Sequence, residues 1–133
     1  MPQLKTEIAV SALMRRAQSA GAFALIVRKG DGDAGAYIVI THLARDKSFV
    51  IYRPIRNSSG ERVWWPKRGL CQSDVDLYIN RRIDEDPDIW VVEIEDAQGR
   101  HFLVEPIEED AASNMTEDDE VLKSAIKAVF PDR

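Results

Sequence analysis

Cysteine is almost missing from this chain. Cys71 stands alone among 133 residues, so no intrachain disulfide can form and the fold must be closed by packing alone. Long apolar runs are missing too. The longest, residues 20–27, is eight residues with Gly21 inside it, far short of the roughly 18 that span a bilayer. The amphipathic start Met1–Glu7 lacks the apolar core of a signal peptide, and with the lone thiol this points to a soluble protein in a reducing, cytoplasmic compartment. There is no Gly-x-Ser-x-Gly elbow, Walker loop or dinucleotide fingerprint. Gly30 to Gly35 misses the last of these because it leads into a strand pattern. Nor is it a calcium loop, since counting from Asp31 the fifth position is Gly35 and the twelfth is His42. His42, His101 and Cys71 do not have a standard zinc spacing. No metal site, cofactor or catalytic residue is therefore expected, and the balance leans away from an enzyme.

What is present starts with the stretch Asp84–Glu105. From Ile89 to Ile94 the residues alternate, with Trp90, Val92 and Ile94 on one face and Val91, Glu93 and Glu95 on the other. Asp96-Ala97-Gln98-Gly99 has the chemistry of a short hairpin turn, and His101–Val104 is expected to return antiparallel. Trp90, which buries about 150–250 Å² when enclosed, is expected at the centre of the core.

Before that stretch, a helix is predicted over Glu7–Ala20, capped by Thr6 and stopped at Gly21. Phe23–Arg28 and Ala36–His42 are predicted as buried strands of a second hairpin around the glycine-rich connector. Ser48–Pro54 is predicted as a third strand, with Phe49 and Ile51 on one face and Val50 and Tyr52 on the other. Arg62–Trp65 is read as a brief strand or irregular flap ahead of Pro66. Ser73 is placed as the cap of a helix over Asp74–Asp84, broken at Asp86-Pro87. Pro106–Asn114 is acidic and poor in large apolar residues. Beyond it Val121, Leu122, Ala125, Ile126 and Val129 form a helical stripe. The expected organisation is one α+β domain over residues 1–105, an acidic linker at 106–115 and an amphipathic helix at 116–133. The domain would be an antiparallel sheet of about five strands, a three-stranded segment plus the hairpin, packed with two helices.

Charge is segregated along the chain. Residues 45–68 hold seven bases and two acids, residues 74–96 nine acids and two bases, and residues 106–133 eight acids and three bases. The basic segment is also aromatic. Arg53, Arg56, Arg62, Trp64, Trp65 and Arg68 are candidate ligand contacts for single-stranded nucleic acid or a phosphorylated ligand, because guanidinium pairs with phosphate and indole stacks on bases. Against that, no RNP, KH or zinc-finger signature is present, and the basic and acidic blocks can neutralise each other. Arg15, Asp31, Asp33 and Glu93 form an alternative polar site, chosen as charged residues within apolar surroundings. Asp88, Glu93 and Glu95 have only a faint likeness to the acid layout of a metal-dependent nuclease, and Glu95 stands where that layout needs Lys.

Several motifs together carry a resemblance: Leu4–Ile8, Ser11–Arg16, Gly21–Ala24, Gly30–Gly35 and Asp86–Asp96. In order and spacing they resemble the alphaproteobacterial family catalogued as domain of unknown function 1491, over most of residues 4–105. The resemblance implies a bacterial cytoplasmic protein and brings no activity, cofactor or site residue to carry over. The tail after Glu105 looks like an addition. The leading functional expectation is a non-enzymatic binding or adaptor protein with a protein partner or a second copy as its target. A nucleic-acid module and a small-molecule enzyme stand behind it, and no membrane contact is expected. In a sharper form, the acidic tail docks on the basic segment 45–68, in cis or across a dimer.

Overall fold

The computed structural model describes residues 5–33, 35–43 and 48–109. Its elements are α1 (Thr6–Ser19), β1 (Phe23–Arg28), β2 (Tyr37–His42), β3 (Phe49–Arg56), β4 (Arg62–Leu70), α2 (Gln72–Glu85) and β5 (Trp90–Glu95). One five-stranded sheet runs in the order β1-β5-β2-β3-β4, with α1 packed on one face and α2 on the other. Val10, Leu13 and Ala17 of α1 meet Val39, Tyr52, Trp64, Trp90, Val92 and Ile94. On the opposite face Val75 and Tyr78 of α2 meet Ile38, Ile40, Ile51, Ile89 and Val91. The alternation within β2, β3 and β5 thus feeds two cores rather than one core and a wet surface.

The largest departure from expectation is the partner of β5. It pairs antiparallel with β1 and parallel with β2, so the sheet is mixed and the hairpin to His101–Val104 is not formed. The physical reason lies in the strand itself: Trp90, Val91, Val92 and Ile94 are all buried, which suits a central strand covered on both sides. The turn chemistry is real but redirects the chain. The Asp96 carboxylate accepts from the amides of Gln98 and Arg100, both at 3.0 Å, and Gly99 sits at φ 70°. Phe102 then adopts φ 62°, which no extended ladder tolerates.

The expected β1–β2 hairpin is likewise absent, because β5 lies between the two strands. The glycine-rich connector instead crosses over the start of β5. Asp31 N donates to Asp88 O at 2.9 Å, and the Trp90 indole N–H donates to Asp31 O at 2.7 Å. A Cβ added at Gly35 would stand 2.3 Å from that same Asp88 oxygen, so the glycine is there for close backbone approach. Thr6, expected as a cap, is buried, and its hydroxyl donates to Gly35 O at 2.5 Å. Lys5 holds the N-cap position of α1.

Two boundaries also shift. The Arg62–Trp65 flap is the start of a nine-residue edge strand, with Pro66 paired opposite Tyr52 where a missing N–H is tolerated. The cap of α2 is Cys71, whose N–H is taken by Asp74 Oδ2 at 3.0 Å, two residues before the expected Ser73. Residues 106–109 lie along β4; the rest of the expected linker and the helix over 116–133 lie outside the described residues. None of the described helices is long and apolar enough to cross a membrane.

Candidate functional site

The two edges of the sheet are treated differently. Beside β4, Trp64 N donates to Pro106 O at 2.8 Å and Glu108 N to Trp64 O at 2.9 Å, so the chain covers that edge with its own backbone. The Trp64 indole donates to Glu105 Oε1 at 2.9 Å, and Arg68 pairs with Glu109, which raises the guanidinium pKa further. Beside β1, no described residue pairs with the outer edge. Four of its six side chains are apolar and open to water: Phe23 at 64% exposure, Leu25 at 49%, Ile26 at 39% and Val27 at 46%.

The register gives this edge two faces. Ala24 and Ile26 stand opposite Ile94 and Val92 on the α1 side, and Phe23 and Leu25 stand opposite Glu95 and Glu93 on the α2 side. Between those two carboxylates sits His42, with Nδ1 3.6 Å from Glu93 and Nε2 3.8 Å from Glu95, its ring packed on Phe49 at 4.6 Å. At the far end Arg28 donates to Pro87 O at 2.7 Å, past a bulge between Ile26 and Arg28. An apolar edge, acidic at one end and basic at the other, is a template for an added strand. The sequence reading missed it because a six-residue apolar run with one charge reads as a buried strand. The only hint was that the run is short and follows a helix directly.

The basic and aromatic candidates divide between the two faces of the β3–β4 ribbon. Arg53 and Trp65 are cross-strand neighbours on the α2 side, the guanidinium 5.6 Å from the ring centroid, and both are buried. Trp64 belongs to the α1-side core, Arg62 stacks over Tyr37 at 5.9 Å, and Arg56 donates to Gly60 O at 2.9 Å. Burial pushes the Tyr37 phenol up, with Glu105 adding to the effect. Arg68 faces Tyr52 and His101, and the His101 pKa is lowered by burial and then by that guanidinium. The alternative polar residues do not converge: Arg15 is exposed on α1, Asp31 and Asp33 are exposed in the connector, and Glu93 lies beside His42. An open depression on α1 is lined by Ile8, Ser11, Ala12, Arg15, Arg16 and Ser19. Among the described residues, no three His, Cys, Asp or Glu side chains are placed to hold a metal ion.

Comparison with known proteins bears on this same body of the chain. The family model described as protein of unknown function (DUF1491) matches residues 4–104. The chain belongs to the DUF1491 family. A crystal structure of a DUF1491 protein from Caulobacter crescentus is 48% identical, with a TM-score of 0.76, covering 80% of this chain and all of that one. An NMR structure of a DUF1491 protein from the same organism is 45% identical, with a TM-score of 0.73, covering 82% and 99%. A solution structure from A. tumefaciens is 33% identical, with a TM-score of 0.68, covering 84% and 100%. No curated protein matches the chain. The DUF1491 match stops one residue before Glu105, where the chain turns to cover β4.

Proposed function

We propose that this DUF1491 protein is a non-enzymatic binding module that works through its β1 edge, and that the strand it takes is β1 of a second copy. The observation that carries the reading is the exposed apolar edge at Phe23–Val27, with which no described residue pairs, while the opposite edge is closed by residues 106–108. Opposed residues of an antiparallel pair share a face, so a two-fold axis must fall on a residue. With Leu25 on the axis, Ala24 opposes Ile26 and Phe23 opposes Val27, which joins the exposed apolar side chains of both copies. Arg28 of one copy then falls beside the Phe23 end of the other, where Glu95 supplies the opposite charge. One strand pairing buries less than the roughly 800 Å² per partner of a standard interface, so the association is weak, with a Kd of about 10 μM to 1 mM.

The test is sedimentation of the full chain across that concentration range, with backbone amide shifts followed by NMR. Concentration-dependent dimerisation with shifts clustered at Phe23–Arg28, both abolished by Leu25→Lys, is the expected result. A chain that stays monomeric throughout, or one whose shifts cluster away from β1, overturns the proposal.

A further inference from the structure

We propose that the segment beyond Glu109 folds back on its own chain, seating the stripe Val121, Leu122, Ala125, Ile126 and Val129 on the α2-side patch of β3 and β4 made by Ile55, Val63 and Trp65. The patch is the first observation. Ile55 at 8% exposure, Val63 at 1% and Trp65 at 8% are buried, and Arg53 beside them is 5% exposed. Yet among the described residues their cluster draws on β3 and β4 alone and stands apart from the core under α2. The second observation is where the described chain ends. Glu109 is held by Arg68 of β4, so the described chain ends beside the ribbon that carries the patch. The eleven intervening residues reach roughly 35 Å when extended, enough to pass from one face of the ribbon to the other.

Chemistry matches at both levels. The stripe is apolar at helical spacing, as the patch requires. The acids Glu117, Asp118, Asp119 and Glu120 precede it, and Arg53 and Lys67 lie on the patch face. The family match supplies the third observation: it ends at Val104, and the Caulobacter chain is matched in full by 80% of this one, so the segment lies beyond the family match. Its occupancy of the patch removes Arg53 and Trp65 from any external nucleic acid or phosphorylated ligand.

The test is removal of residues 110–133, keeping the Glu105–Glu109 contacts to Trp64 and Arg68, with iodide quenching of tryptophan as the readout. All three indoles are buried in the full chain. In the truncated chain, folded by circular dichroism, one of the three becomes quenchable; Trp65→Phe in that background removes the gain, and a synthetic 110–133 peptide reverses it. Quenching unchanged by truncation overturns the proposal. Should the truncated chain not fold, Leu122→Asp with Ile126→Asp in the full chain decides in the same way: a rise in quenching supports it and no rise overturns it. Shielding in the full chain that fades on hundred-fold dilution overturns the intramolecular arrangement and points to a second copy.

Discussion

Replacing Gly35 by Ala isolates the contact that fixes the chain crossing. The cost comes from its Cβ, which would stand 2.3 Å from Asp88 O. Carbon and carbonyl oxygen rarely approach closer than about 3.3 Å, so one backbone segment must move by roughly 1 Å. Overpacking of this kind costs about 1–3 kcal/mol. The same movement stretches the 2.9 Å bond from Asp31 N to Asp88 O, worth about 1 kcal/mol net. The total is about 2–4 kcal/mol, or a fall in Tm of about 8–16 °C for a domain near 100 residues. Tryptophan emission reads the free energy in a urea titration and the Tm in a thermal scan, since the Trp90 indole bonds the Asp31 carbonyl in the displaced loop. Gly60→Ala is the contrast: at φ +81° with open space around it, it costs about 1–2 kcal/mol from backbone conformation alone. A Gly35→Ala variant within about 0.5 kcal/mol of the parent would refute the crossing, since surface substitutions have effects of that size.

Three further outcomes follow from the packing and the charges. Val92→Ala, at a fully buried position, should cost roughly 2–3 kcal/mol by chemical denaturation, and Val104→Ala, at 70% exposure, no more than about 0.5; equal effects would contradict the burial of β5. The Arg100 guanidinium and two amides hold the Asp96 carboxyl well below the ordinary carboxylate range, so its contribution is present above about pH 4 and is lost as the pH falls further. The stability gap between parent and Asp96→Asn should accordingly close on acidification from pH 5 to about 2, and a gap that widens would be the wrong sign. His101 is held neutral by burial and by Arg68, and its Nδ1 accepts from Leu103 N at 2.9 Å, so protonation favours unfolding. Stability should rise with pH through about 6.5, and His101→Gln should flatten that slope; an unchanged slope would remove His101 as its source.

Local structure was largely legible. The three- and four-residue spacing of Ile8, Ala9, Ala12, Leu13, Ala17 and Ala20 gave α1 to within a residue or so, although the buried face runs through Val10, Leu13 and Ala17 and leaves Ile8 exposed, and the limits of β1, β2 and β5 follow the apolar runs. Pairing was not legible, because the same run Trp90–Ile94 that alternates as a hairpin strand also satisfies a central strand, and the difference is decided by what covers Val91. Turn chemistry at Asp96–Gly99 predicted a reversal correctly in kind, yet nothing local announces that the chain then leaves the sheet at Phe102. The length of β4 is hidden by Pro66, which looks like a breaker and is accommodated at this edge position opposite Tyr52. The site was the least legible part. Bases and indoles drew attention to the β3–β4 ribbon, whereas the exposed surface is a run of plain apolar residues, Phe23 to Val27, whose exposure depends on which strand ends up outermost.

Native-state hydrogen exchange of the β1 amides tests that placement most directly, in dilute full-length chain below the association range. An outermost strand bonded only to β5 should show a period-two pattern across Phe23–Ile26, alternate amides protected and the intervening ones exchanging as fast as a loop. Protection of every amide in that segment at dilution would mean the edge is already covered and would contradict the account.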